Sequence, residues 1–272
     1  MTVLPDSYAG ACDCHIHVFE DGRPLVPTAT FKPPHAPAAA YREVQRALGL
    51  SRVVVVQPTG YGYENSCTLD AMKQLGPGAR GVAVVPLDAP QAQLEQLDEA
   101  GMRGVRFMML PGGILPWANL EPMAARIAPM GWNINLQLDG RDLPLHEAVL
   151  HRLPCRLVID HIGKFLGPVA LGDEAVSSLC RLLDTGNCWI KLSAPYESSR
   201  SGAPAYADVS PLVRALAGSY PERCLWASNW PHPNINPTPT DGYLLEWALL
   251  NMGTAETRHR ILVDNPTTLY GF

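Results

Sequence analysis

What this chain lacks removes several functional classes at once. No uninterrupted apolar run approaches the roughly 20 residues a membrane helix requires, so no membrane partner is expected. Basic residues are not clustered: 21 Lys and Arg are scattered among 26 Asp and Glu, for a net charge of −5. No face is built to neutralise a phosphate backbone, and nucleic acid is not an expected partner. The seven cysteines, at positions 12, 14, 67, 155, 180, 188 and 224, form no Cys-x-x-Cys pair. Several lie inside apolar runs, where a thiol behaves as a small hydrophobe, and the odd count fits reduced thiols in a cytoplasmic setting. Met1 to Gly10 has neither a basic n-region nor an apolar h-region, so no export leader is expected. Aromatic residues make up only 7% of the chain. Proline is the exception: the 26 prolines are about twice the usual share, and they gather in Pro24–Pro37 and Pro231–Pro239, which predicts long, stiffened connections.

Short β-branched runs alternate with amphipathic stretches along the whole chain. Strands are predicted over residues 11–19, 52–58, 81–87, 104–110, 132–138, 156–162, 188–193 and 224–229. Helices are predicted over 39–48, 67–75, 91–100, 120–130, 145–152, 174–184, 209–219 and 243–251, where apolar residues recur at three- and four-residue spacing, and a final helix over 255–263. Eight strand–helix alternations in 272 residues predict one α/β domain over 1–272, a (β/α)₈ TIM barrel. A doubly wound open sheet is the alternative. It usually shows a Gly-rich turn after its first strand, and none follows Val18. The proline-rich stretch replaces a short loop between the first strand and first helix; it is expected to cross the barrel mouth or to meet a second copy of the chain.

In such a barrel the reactive groups gather at the C-terminal strand ends. The first strand carries His15 and His17, which share a face at i, i+2 spacing. Two converging imidazoles can bind a metal, or polarise a carbonyl and pass protons without one. Gln57, Thr59 and Tyr61 follow the second strand, Arg106 lies on the fourth, and Gln137 and Asp139 end the fifth. Asp160 and His161 end the sixth, Lys191, Ser193 and Tyr196 the seventh, and Ser228, Asn229 and His232 the eighth. Apart from Asp139 and Asp160, which can orient an imidazole, this ring is neutral or basic and favours an anionic substrate. For Arg106 alone, the bland reading is an internal barrel salt bridge.

Asp13-Cys-His-Ile-His17, Gly104-Val-Arg-Phe107, Asp160-His-Ile-Gly-Lys164, Lys191-Leu-Ser193 and Asn229-Trp-Pro-His232 together resemble the amidohydrolase superfamily, from the first strand to the last. The resemblance is greatest to the lactone-acting branch, which includes pyrone-dicarboxylate lactonases and galactarolactone isomerases. Leu110-Pro-Gly-Gly113, Gln137-Leu-Asp-Gly140, Tyr196-Glu-Ser-Ser199 and Tyr206-Ala-Asp-Val209 are more similar to the isomerases. Metal-dependent members add a Lys or His ligand from strand 4 or 5 and an Asp after strand 8. Gln137 and Asn229 stand in those regions here, and a neutral amide is a poor zinc ligand. No cofactor is therefore expected; zinc on His15, His17 and His161 is the alternative.

The resemblance implies acyl transfer at the ester carbonyl of a carboxylate-bearing lactone. His15, His17 and His161 would polarise the carbonyl and move protons, and Asn229 would orient the attacking oxygen. Arg106 would hold the substrate carboxylate, with Gln57, Thr59, Tyr61, Gln137, Lys164, Tyr196 and His232 completing the pocket. In the pyrone lactonases the strand-8 residue is an Asp that takes a proton from water, whereas Asn229 has no useful basicity. A second arginine grips their second carboxylate, where this chain has Pro111-Gly112-Gly113. Three outcomes stay open: hydrolysis of a sugar-acid or dicarboxylate lactone, isomerisation in which a substrate hydroxyl attacks at high effective concentration, and a non-catalytic carboxylate-binding barrel.

Overall fold

The computed structural model describes residues 3–272. Eight parallel strands pair in sequence order: β1 (Cys12–Ile16), β2 (Arg52–Val56), β3 (Ala79–Ala83), β4 (Met102–Met108), β5 (Asn133–Gln137), β6 (Arg156–Ile159), β7 (Cys188–Leu192) and β8 (Cys224–Trp226). The helices between them are α1 (Ala38–Leu48), α2 (Ser66–Leu75), α3 (Gln91–Glu99), α4 (Leu120–Ile127), α5 (Leu143–His151), α6 (Glu174–Asp184), α7 (Ser210–Ser219) and α8 (Asp241–Asn251), followed by α9 (Ala255–His259) and α10 (Asn265–Tyr270). This is the expected (β/α)₈ barrel.

Local chemistry sets the ends of the elements. Asp173 caps α6 by accepting from the Ala175 N–H, Thr254 caps α9 through the Thr257 N–H, and Gly49, at φ 75°, closes α1. The final helix was expected as one piece over 255–263. Instead α9 passes through a π-helical turn, Arg260–Asp264, into α10, whose Pro266 has no N–H to continue the i to i−4 pattern.

The barrel closes through polar contacts between β1 and the segment after β8. That segment was read as strand to residue 229, but regular pairing stops at Trp226. Its N–H groups turn to β1 instead: Ser228 donates to Asp13 Oδ1 at 2.9 Å and Asn229 to the His15 carbonyl at 3.0 Å, while His17 donates to the Trp230 carbonyl at 2.8 Å. β1 is irregular where this happens. Asp13 meets Tyr41 of α1, whereas His15 meets Lys191 inside the barrel, and the register against β2 shifts between Asp13 and Ile16. Strict alternation would have put residues 13 and 15 on one face.

The barrel interior is layered. Cys12, Cys14, Val54, Val82, Val158, Trp189 and Leu225 pack with Tyr270 of α10 in an apolar cluster. Polar side chains belong to the other interior layer: Arg106, Asn135, Gln137 and Lys191 are all buried. The outer faces of the strands pack on the helices in a second, larger core.

Gly104 of β4 pairs with Asn133 of β5, and a Cβ there would lie 2.7 Å from both the Asn133 carbonyl oxygen and its Oδ1. Gly104→Ala is expected to overpack this seam and cost about 1–3 kcal/mol in denaturant unfolding, and an unchanged midpoint would contradict the close approach.

Candidate active site

Lys191 of β7 sits fully buried at the centre of the polar layer. Its ammonium has three hydrogens and three acceptors: Asn135 Oδ1 at 2.7 Å, His15 Nδ1 at 3.0 Å and Asp160 Oδ1 at 3.1 Å. Asn135 in turn donates its Nδ2–H to Asp160 Oδ1 at 2.7 Å. Burial alone would raise the Asp160 carboxyl, but Lys191 and then His15 hold it well below the usual carboxylate range. The pair is therefore a carboxylate and an ammonium removed from water together.

This cation determines the proton positions on the histidines. A neutral His15 that accepts from Lys191 at Nδ1 carries its hydrogen on Nε2, 3.2 Å from His17 Nε2. His17 donates from Nδ1 to the Val56 carbonyl at 2.8 Å, so its Nε2 is free to accept that hydrogen. Burial, reinforced by Lys191 beside His15 and by Arg106 beside His17, keeps both imidazoles well below the ordinary histidine value and hence neutral.

His161 completes the group, its ring centroid 4.7 Å from that of His15. The Asp160–Lys164 turn aims it: His161, Ile162, Gly163 and Lys164 all have positive φ, and non-glycine residues held this way cost about 1–3 kcal/mol each. His161 Nδ1 lies 2.9 Å from Ser193 Oγ. Burial lowers its pKa to about 4.

His17 and His161 border a cavity of about 190 Å³ at the C-terminal ends of the strands. Its polar lining includes His17, Thr59, Arg106, Gln137, His161, Lys164, Glu197 and Asn229. Phe19, Leu25, Thr30, Phe31 and Pro33 bring the proline-rich arm across its mouth. Arg106 donates to the Gln57 carbonyl at 3.1 Å and to Gln137 Oε1 at 2.6 Å. No ion pair involving it occurs among the described residues, and its Nε has no partner. An internal salt bridge, the bland reading of Arg106, is therefore not what the structure holds. Lys164 differs, being paired with Glu197 Oε2 at 2.5 Å.

Several residues expected to line the pocket lie behind it. His15 is covered by its neighbours. Gln57 accepts from Thr68 and donates to the carbonyls of Gly62 and Glu64, holding the turn after β2. Tyr61 bonds the backbone of Glu20 and anchors the arm. Asp139 pairs with Arg141 and orients no imidazole. Tyr196 and His232 form a relay instead. Asp241 Oδ1 lies 2.9 Å from His232 Nε2, His232 Nδ1 lies 2.9 Å from the Tyr196 hydroxyl, and Asn229 Nδ2 donates to that hydroxyl oxygen at 3.0 Å. In the neutral imidazole Asp241 takes the Nε2 hydrogen, Nδ1 takes the phenolic hydrogen, and the phenol oxygen needs a donor. An amide at position 229 supplies one; a carboxylate would not. Glu197, the cavity's carboxylate, and Asp241 were missed. Glu197 directly follows Tyr196 in the turn after β7, so its position was available as a signal; Asp241 comes from the start of α8, with nothing local to mark it.

On the side facing Lys191 the donor set does not suit a divalent metal. Ligand atoms of His15, Asp160 and His161 do lie within 4.8 Å of one another, and Asp160 Oδ2 has no partner. The Lys191 ammonium lies 3.1 Å from Asp160 Oδ1 and 3.0 Å from His15 Nδ1, so a cation bound at those two atoms would meet a like charge. Behind His15 the Asp160 carboxylate, 3.4 Å from Nδ1, shares that nitrogen with the ammonium, whereas His17 has the Val56 carbonyl to itself. Asn229 offers only a neutral amide.

Residues 12–272 match the family model described as amidohydrolase. The D-galactarolactone isomerase of Agrobacterium fabrum is 34% identical over 266 residues, spanning 96% of this chain and 91% of that protein. A 2-pyrone-4,6-dicarboxylate hydrolase of Comamonas testosteroni is 36% identical over 275 residues, spanning 96% and 90%. An apo crystal structure of an Agrobacterium tumefaciens protein superposes with a TM-score of 0.92 at 34% identity, over 97% of this chain and 96% of that one.

Replacing Lys191 by Met strands the Asp160 carboxylate and is expected to cost about 3–5 kcal/mol at pH 7. The depressed Asp160 pKa contributes stability above the unfolded value of about 3.9, and that stability is lost as pH falls through the folded value. Denaturant unfolding across pH should therefore show the Lys191→Met deficit shrinking in acid, whereas a deficit constant with pH would contradict the ion pair.

Proposed function

We propose that this chain, which belongs to the amidohydrolase family, carries out metal-independent acyl transfer at the ester carbonyl of a carboxylate-bearing lactone. One observation carries the substrate's charge: Arg106 is a buried guanidinium in the cavity wall with no carboxylate of its own. A substrate carboxylate supplies the missing partner in a charge-assisted hydrogen bond. Gln137 fixes the fork, and Lys164, neutralised by Glu197, adds little net charge. One carboxylate fits this balance better than two. The named relatives act on lactones, which supports the same reaction class.

The carbonyl oxygen binds against the imidazoles. When the Ser193 hydroxyl donates to His161 Nδ1, His161 Nε2–H points into the cavity as a donor. His15 does not reach the cavity: its Nε2–H is spent on His17 Nε2, so it holds His17 in place behind the wall. A fixed donor such as His161 Nε2–H stabilises the oxygen as it becomes negative and needs no reorganisation in the transition state. Asn229, oriented by the Asp241–His232–Tyr196 relay, keeps its Oδ1 free of protein partners and accepts a hydrogen bond from the attacking O–H. Asn229 is tied into the relay through its Nδ2–H and is thereby a built part of the site, which favours an enzyme over the non-catalytic barrel.

Water as the attacking group gives a lactonase, the principal reading. A substrate hydroxyl as the attacking group gives an isomerase, and one feature favours this second reading: no strand-8 carboxylate is present to activate water, and an intramolecular hydroxyl tolerates a weaker base.

His161→Ala is expected to raise the barrel enzyme's activation barrier by about 3–4 kcal/mol, a loss of two or more orders of magnitude in turnover with thermal unfolding unchanged. The assay is a panel of carboxylate-bearing lactones read by pH indicator and by NMR, since hydrolysis releases a proton and isomerisation does not. Exhaustive chelation should leave the rate unaltered. Full activity in His161→Ala, or loss on chelation restored by zinc, would overturn the assignment.

A further inference from the structure

The proposed acyl transfer leaves one step without an agent: the attacking O–H must give up its proton. We propose that Glu197, in the turn after β7, is the general base of this site, standing in for a strand-8 carboxylate. The inference rests on the acyl-transfer reading above.

The cavity's own chemistry leads to this residue. Asn229 can accept a hydrogen bond but not a proton. His15 lies behind the wall with both nitrogens engaged, at Lys191 and at His17. His17 spends Nδ1 on the Val56 carbonyl and Nε2 on His15. His161 faces the cavity, but with the Ser193 hydroxyl donating to its Nδ1 it carries its hydrogen on Nε2, where it serves as the donor to the carbonyl oxygen and has no lone pair left for the attacking O–H. Arg106 and Lys164 are cations. Glu197 is the carboxylate among the cavity's lining residues, its side chain 15% exposed. Lys164 binds Oε2 and leaves Oε1 without a protein partner. That contact holds the carboxylate in one orientation, as a base orienter should.

The step balances with either nucleophile. The proton of the attacking O–H passes to Glu197 Oε1 as its oxygen bonds to the carbonyl carbon. When the carbonyl re-forms, the ring C–O bond breaks, and the departing oxygen takes the proton back from Glu197. Water as nucleophile yields the hydroxy acid; a substrate hydroxyl yields a lactone of different ring size. The carboxylate is regenerated in both cases.

The test compares Glu197→Ala, Glu197→Gln and Lys164→Met with the wild type on whichever carboxylate-bearing lactone the wild type opens. Both Glu197 variants are expected to lose roughly 100-fold or more in kcat with little change in KM, since a base acts in the transition state. Added formate should restore Glu197→Ala in a concentration-dependent way, because a small carboxylate can enter the vacated space. Lys164→Met should lose far less and ignore formate. A Glu197→Ala enzyme with wild-type kcat, or one whose loss matches Lys164→Met and does not respond to formate, overturns the role. A wild type that opens no lactone overturns the parent reading and this proposal together, and so is told apart from failure of the base alone.

Discussion

A single buried ammonium organises this molecule. Lys191 has no contact with solvent, and each of its three hydrogens has a partner on a different strand or turn: Asn135 on β5, Asp160 after β6 and His15 on β1. Charges taken this far out of water are costly unless each is paired and hydrogen-bonded, so side chains on opposite sides of the barrel are tied to one geometry. The consequence is chemical as well as mechanical. With an ammonium at Nδ1, His15 must carry its hydrogen on Nε2, and His17 must accept it.

The cavity above this layer is built by a second relay and by charge balance. Asp241, His232 and Tyr196 pass a hydrogen-bond direction inward from α8 until it reaches Asn229, which accounts for an amide at a position where basicity might have been wanted. Lys164 and Glu197 cancel each other, which leaves Arg106 as the unbalanced charge facing the substrate. The arm between β1 and α1 lines one side of the cavity with Phe19, Leu25 and Phe31, while Arg106 and Gln137 form its polar end.

Much of this could be read from the sequence, because strand order and strand ends follow directly from periodicity. All eight strands and their helices were anticipated in order, and His17, Thr59, Arg106, Gln137, His161 and Asn229, which stand at or near strand ends, line the cavity together with Lys164, which only the family resemblance pointed to. What periodicity cannot supply is the direction of a side chain in an irregular turn. Gln57, Tyr61, Tyr196 and His232 lie beside the right strand ends, but 3₁₀ turns and left-handed residues rotate them into supporting roles. The bulge in β1, which separates Asp13 from His15, leaves no mark in the residue pattern. Lys191 could be read only as polar and internal, since its three partners come from segments distant in sequence. Glu197 belongs to no strand end, and only the short turn Pro195–Glu197 brings its carboxylate to the cavity.

The central claim is that Lys191 dictates the His15 tautomer, and nitrogen-15 NMR of the imidazole side chains near neutral pH tests it most directly. A neutral His15 protonated on Nε2, with Nδ1 shifted as a hydrogen-bond acceptor, is the expected result. A His15 protonated on Nδ1, with Nε2 bare beside His17, would contradict it and reopen the site to a metal.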